Sequence, residues 1–459
     1  MILPAGLWLM VWAGYNTGIG RLIAPDFPTG ALDLFHGIRA LFPFVAAYVA
    51  VIKLLLRRPY PGWVFRGPLG LLLLYTIVGT ISSIFLSEDP VTALYWAGEY
   101  GAVLVVLMAI LAESNSRQRV LRLIAFNWSV VGVIMVGLLL ALWFMRDVAL
   151  AEMDYAPLKV FAFGSNIAGS PLWGMPSTRN TGFGRYAGIA ALVALSQIWE
   201  GRRWTRVTWL LILLFSLVSL VISQARTAIL GFLPACFVFL WLKRRSIPLL
   251  GTGIVFALLL LAVTDSYEAF WAYITRGAPF DLTLTGRTYV WREGWDVVFQ
   301  ESPWLGLGFH ADRIYLEGMH MHNAFLQALI QSGIIGTAFF LAAFLKIWIF
   351  LVRYHLLPQK RNVLPFKAEI PAILLFLTVA SISESTIAFY GAAFLFAAPL
   401  IAYIQLYYLA GEGLPHPPLD PKMSQRNGNP RESHHLHPSS SVNMEGRGRI
   451  SGNPWKAER

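Results

Sequence analysis

Apolar stretches of helix length, separated by short basic connections, recur along most of the chain. They lie near 2–20, 34–56, 67–87, 92–112, 121–144, 182–199, 207–223, 226–242, 247–264, 322–352, 370–386 and 389–410. A helix needs about 20 mostly apolar residues to cross a hydrocarbon core. These stretches are apolar around the whole helical circumference and lack the alternating pattern of a transmembrane strand. The pattern predicts an all-α fold: a polytopic transmembrane bundle of about twelve spans. The first stretch is the weakest, because it is short and carries Asn16. It reads as an uncleaved signal anchor, since no basic n-region or small-residue cleavage site accompanies it.

Composition sharpens this. Of 459 residues, 56% are hydrophobic and 13% charged, against roughly 25% charged in a soluble domain. The single cysteine, Cys236, cannot form a disulfide within the chain. The net charge of +11 raises the question of which side of the bilayer is basic, not of nucleic acid. With a cytoplasmic N-terminus, the inner loops are 57–66, 113–122, 200–206, 243–246 and 353–369, and they hold 16 Lys and Arg residues. The outer loops 145–181 and 265–321 are longer and sparser in basic residues. This alternation predicts a multi-pass membrane protein with both termini cytoplasmic. Residues 1–410 form the transmembrane domain. Residues 411–459, rich in Pro, Gly, Ser, Asn and His, form a disordered cytoplasmic tail. His416, His434, His435 and His437 there suit a solvated low-complexity segment, with metal binding as the alternative. No convincing internal repeat supports a transporter built from two related halves.

Ionisable groups within spans are expensive and usually have a partner or a task. Arg39 and Glu99 lie at matching depths in the second and fourth spans. They read as a structural ion pair, or as charges lining a cavity. Arg185, Arg226 and Glu384 lie near outer ends of the sixth, eighth and eleventh spans. Each alone is compatible with a snorkelling side chain. Together they mark one face of the membrane.

The longest outer loop, 265–321, carries Thr285-Gly286-Arg287-Thr288 ahead of Trp291, Trp295 and Val298. That spacing predicts a short amphipathic helix at the outer interface, with Arg292, Glu293 and Asp296 on its polar side. Pro303, Gly306 and Gly308 end it. His310, Asp312, Glu317, His320 and His322 follow. Two chemistries compete. His310, His320 and His322 with a carboxylate suggest metal binding, although the spacing matches no strong ligand pattern. Alternatively, His322 at the start of a span, with a neutral imidazole, can take a proton from a hydroxyl. Arg226, Arg287 and Arg185 would then hold a phosphate or diphosphate.

Met321-His322-Asn323-Ala324-Phe325-Leu326-Gln327, followed by Ser332-Gly333-Ile334-Ile335-Gly336, resembles the signature of the O-antigen ligase and polymerase superfamily. Gly286-Arg287 with Trp291, and the stretch Pro303 to Gly308, resemble the region before that signature. Ser223-Gln224-Ala225-Arg226-Thr227-Ala228 resembles the family's Ser-x-Ser-Arg-Thr turn, with Ala225 in place of the second Ser. Arg179 to Tyr186, including Arg185, loosely resembles its basic patch. The motifs cover roughly 180–350. The resemblance implies transfer of a glycan from undecaprenyl diphosphate at the periplasmic face of the bacterial inner (cytoplasmic) membrane, with no nucleotide and no metal. A ligase uses lipid A–core as acceptor, and a polymerase uses a second carrier-linked repeat. It implies that His322 deprotonates the acceptor hydroxyl, which attacks the anomeric carbon with inversion. Arg226, Arg287 and Arg185 neutralise the departing diphosphate, and Asn323, Arg292 and Glu384 support them. Arg292 and Gly308 also match the Arg–fifteen residues–Gly spacing of some polymerases, but glycine is too common here for that to decide. The His-Asn motif favours a ligase. A transporter for a lipid-linked sugar is the non-enzymatic alternative.

Overall fold

The structure, a computed structural model, describes residues 2–15, 31–57, 62–113, 116–144, 180–200, 203–223, 225–243, 287–356, 367–385 and 387–411. The stretch expected at 247–264, most of the outer loop 145–181, residues 265–286 and nearly all of the tail lie outside them. Among the described residues every regular element is helical. The helices are α1 (Ile2–Ala13), α2 (Ala31–Leu56), α3 (Pro68–Phe85), α4 (Pro90–Leu111), α5 (Ser116–Phe144), α6 (Asn180–Glu200), α7 (Arg203–Ile222), α8 (Arg226–Leu242), α9 (Arg287–Glu301), α10 (Ala311–Tyr315), α11 (Ala324–Leu356), α12 (Glu369–Ala380) and α13 (Ala392–Gly411).

Six of these, α2, α3, α4, α5, α11 and α13, contain stretches long and apolar enough to cross a membrane. Four apolar helices, α1, α7, α8 and α12, are shorter. The first is cut from the expected 2–20 to end at Ala13, and the eleventh ends at Ala380 instead of reaching 386. Helix α13 lies deepest, with 89% of its span residues buried, against 28% in α2. It packs against α4, α5, α3, α11 and α12. The outward faces carry exposed Leu, Ile, Val and Phe, including Leu41, Val45, Val133, Leu211, Leu214, Leu230 and Leu233. In water so much continuous apolar surface would drive aggregation, whereas hydrocarbon solvates it without cost.

The two ends of the bundle differ. At one end Glu113 pairs with Lys53 and Arg119, Lys367 lies 3.6 Å from Glu369, and Lys243 lies 2.8 Å from Glu200. The other end gathers the loop 302–323 and the segments 381–385 and 387–391 between α12 and α13. Arg39 donates to the carbonyls of Ala13 (3.0 Å) and Tyr15 (2.9 Å), while Glu99 accepts from Tyr95 Oη at 2.6 Å. Among the described residues no ion pair joins Arg39 to Glu99, which corrects the expected pairing. The reason is local. The end of α1 presents free carbonyls to the guanidinium, and Tyr95 lies one turn before Glu99 on the same helix face.

Candidate functional site

The site rests on a break in α11. Gly333 sits at φ 60°, ψ −164°, so the helix is interrupted there. A break leaves backbone groups without helical partners, and in an apolar environment they need others. The loop after α9 supplies them. Leu307 and Gly308 donate to the carbonyls of Ile330 (2.8 Å) and Gln331 (3.0 Å). Ile334 and Ile335 donate to Pro303 (2.9 Å) and Trp304 (3.2 Å). A Cβ on Gly333 would stand 2.4 Å from the Trp304 carbonyl, and one on Gly306 would stand 2.4 Å from the Gly333 nitrogen. The glycines on both sides of this contact are thus sterically required. On its other side the loop docks on α3, where Ser83 Oγ accepts from Phe309 N at 3.0 Å.

His322 precedes α11 in a left-handed conformation, φ 48°. Asn323 caps the helix: its Oδ1 accepts from the backbone of Phe325 (2.9 Å) and Leu326 (3.1 Å). Its Nδ2 donates to Ile382 O at 2.9 Å, and Ala324 N donates to Ser381 O at 2.8 Å. Asn323 therefore ties the start of α11 to the turn that follows α12. That turn carries Glu384. Helix α9 holds the approach to His322, with Trp291 Nε1 donating to Met321 O at 2.7 Å. Gly294 lets α9 close on Met321, whose Cε lies 2.3 Å from where a Cβ would be.

The inward face of α9 is not the expected stripe. Gly294 and Val298 are buried, Trp291 is partly buried, and Trp295 is exposed and stacked on Phe299 at 4.6 Å. Glu293, expected on the polar side, has a buried carboxylate oxygen with no hydrogen-bond partner among the described residues. Arg292 points away from the site, 86% exposed and 3.9 Å from Asp296. Its expected support of the site is corrected accordingly: Arg292 stands two residues before the buried Gly294, and two residues turn an α-helix by about 200°.

Glu384 is the hub. Its Oε2 lies 3.4 Å from His322 Nδ1, and its Oε1 lies 3.5 Å from Arg287 Nη2. Arg287 also donates to Ser383 O at 2.7 Å. Burial pushes the Glu384 carboxyl up. The hydrogen bond from His322 and the charges of Arg185, His322 and Arg287 outweigh burial and hold it at about 2. Arg226, the first residue of α8, stands near enough to Arg287 for their charges to repel. Small residues let the start of α6, which carries Arg185, close on the turn before α8, which begins with Arg226. A Cβ on Gly184 would lie 2.5 Å from the Ala225 Cβ and 2.7 Å from Ser223 Oγ. Ser223 closes the turn by accepting from Ala225 N at 3.2 Å. Thr285 and Gly286 of the motif lie outside the described residues.

A cavity of about 450 Å³ opens beside this cluster. Arg185, His310, Asp312, His320, His322 and Glu384 line it. The three histidines do not converge on one point. His310 stacks on Trp96 (5.3 Å between centroids), and its imidazole is pushed down chiefly by burial. His320 lies against His322 at 4.7 Å. Among the described residues no three His, Cys, Asp or Glu side chains are placed to share a metal ion. Asp312, Gln327 and Ser385 form a buried network around His320 to which no role was assigned from sequence. Gln327, a polar residue inside an apolar span, was a readable signal for it, beside Asp312 and His320 in the loop.

Residues 209–341 match the family model described as O-antigen ligase. That stretch contains Arg226, Arg287, His322 and Asn323, whereas Arg185 and Glu384 lie outside it. The exopolysaccharide production protein ExoQ of Rhizobium meliloti (strain 1021) is 36% identical over 72 residues, which is 12% of this chain and 16% of that relative. The match thus spans far less than two thirds of the relative's length. No solved structure matches. The sequence motifs and these two matches agree on the O-antigen ligase and polymerase superfamily.

Proposed function

We propose that the protein transfers a glycan from undecaprenyl diphosphate to a lipid A–core acceptor at the periplasmic face of the bacterial inner membrane. The observation that carries this reading is the linked set His322–Glu384–Arg287: His322 and Glu384 line one cavity with Arg185, and Arg226 stands close enough to Arg287 for their charges to interact. Glu384 Oε2 accepts a hydrogen bond from the Nδ1–H of a neutral His322, which leaves Nε2 with a lone pair. Nε2 takes the proton of the acceptor hydroxyl as that oxygen bonds to the anomeric carbon from the side opposite the leaving group. The bond from the anomeric carbon to the diphosphate oxygen breaks, and its electrons go to the diphosphate. Arg226, Arg287 and Arg185 stabilise the charge developing there. The diphosphate is itself a good leaving group, so the chain's residues supply a base and a cationic cradle.

A second acceptor, another carrier-linked repeat, is favoured by one observation: the matched relative is named for exopolysaccharide production. Both readings share the donor half of the reaction. Purified protein supplied with carrier-linked glycan and either lipid A–core or a second repeat distinguishes them by which acceptor gains sugar. His322→Ala is expected to give a folded protein with transfer reduced by about 1,000-fold or more, as for loss of a general base and its orienting contacts. Full activity of that variant would overturn the assigned base.

A further inference from the structure

The reaction above leaves His320 without a task, although it sits beside the base. Its Nδ1 lies 3.1 Å from the His322 backbone nitrogen, 3.3 Å from Ser385 Oγ and 3.6 Å from Asp312 Oδ2. The last distance is too long for a hydrogen bond. A backbone N–H only donates, so the Nδ1 facing it carries a lone pair. That requires the neutral imidazole with its proton on Nε2.

The surroundings favour this form. Burial dominates and lowers His320 to about 4, against the charges of Asp312 and Glu384, and with His322 and Arg313 adding to the lowering. Asp312 Oδ2 accepts from Met321 N at 3.3 Å, and its Oδ1 accepts from Gln327 Nε2 at 2.9 Å. Ser385 Oγ lies 3.3 Å from Gln327 Oε1. This network joins α10, the segment before α11, α11 itself and the turn carrying Glu384. It is centred on a histidine that contacts the one residue of the proposed base pair whose backbone is left-handed. A non-glycine residue in that region persists only where its surroundings hold it.

We propose that His320 is a positioning residue whose Nδ1 accepts the His322 backbone N–H and fixes the left-handed turn that aims the His322 imidazole at Glu384. The proposal rests on the reading of His322 as the base. Two variants test it in purified full-length protein, with undecaprenyl-diphosphate-linked oligosaccharide extracted from native membranes as the donor. In His320→Asn the amide oxygen takes the place of Nδ1, while His320→Phe keeps a ring and removes the acceptor. The phenylalanine variant should lose kcat by about 30-fold or more with donor KM within about 3-fold, and the asparagine variant should stay within about 5-fold of the parent. An unimpaired His320→Phe, or a His320→Asn as impaired as His320→Phe, would overturn the proposal.

A measurement on the unaltered protein stands apart from folding of the variants. Nitrogen-15 spectra of histidine-labelled protein, with His320 assigned by difference from His320→Asn, should show the neutral form protonated on Nε2 at pH 7. A proton on Nδ1 would overturn the proposal. The base reading fails separately, by an active His322→Ala, and the tautomer of His320 can be read in either case.

Discussion

Replacing Glu384 by Gln keeps the shape of the hub and removes its charge. Its ordinary carboxylate value of 4.5 and its value of about 2 in the fold differ by about 3 kcal/mol in favour of the charged form. The gross attraction of Arg287 at 3.5 Å is about 5 kcal/mol at an effective dielectric near 20. The smaller net figure is expected, because burying the carboxylate opposes the gain. The pH dependence follows in sign. A depressed carboxyl stabilises the fold fully above about 4.5, and this contribution is lost as pH falls from there towards about 2. Catalysis should suffer more than stability. An amide can present N–H to His322 Nδ1, which moves the imidazole proton to Nε2 and removes the lone pair needed there. The expected outcome is a kcat lower by about 100-fold or more. Donor KM should be unchanged or lower, since Arg185, Arg226 and Arg287 lose a competing anion. Steady-state transfer by the purified variant, with thermal unfolding as the control for integrity, measures both. A kcat within about 3-fold of the parent in a folded Glu384→Gln protein would refute the reasoning.

Two further substitutions test the scaffold. Gly333→Ala places a methyl group against the Trp304 carbonyl at a left-handed position, so a loss of at least about 2 kcal/mol is expected, seen as a lower thermal midpoint. Trp291→Phe removes the 2.7 Å hydrogen bond to Met321 O and should slow transfer about 10-fold, whereas Trp295→Phe, on the exposed face, should change stability by less than about 0.5 kcal/mol. Equal effects of the two tryptophan changes would restore the stripe inferred from spacing.

The residue types of the site were readable in the sequence, and their grouping only partly so. His322, Arg287 and Arg226 stood out because charged or titratable groups at span ends are conspicuous in so apolar a chain. Asn323 was named beside His322, but its work as a cap and as a tie to Ile382 depends on a partner 59 residues away. The Arg39–Glu99 pairing failed because matching depth constrains position along the membrane normal and says nothing about azimuth around the bundle. The Trp291–Trp295–Val298 stripe failed for a related reason. At an interface both faces of a helix tolerate aromatics, so periodicity alone does not say which face is buried.

The sequence by itself determined the solvent, the helical class and the sites of unusual charge. Length and apolarity set the first two, because in hydrocarbon every backbone polar group must be satisfied and a helix does this within one segment. Tertiary structure decided what those charges meet. His322 and Glu384 are 62 residues apart in the chain, and they face each other because Asn323 and Ala324 bond to Ile382 and Ser381. The break at Gly333 is held by the loop from Pro303 to Gly308, whose donors and acceptors replace those the helix gives up. Such contacts depend on backbone groups that every residue shares, so no pattern of side chains along the sequence announces them.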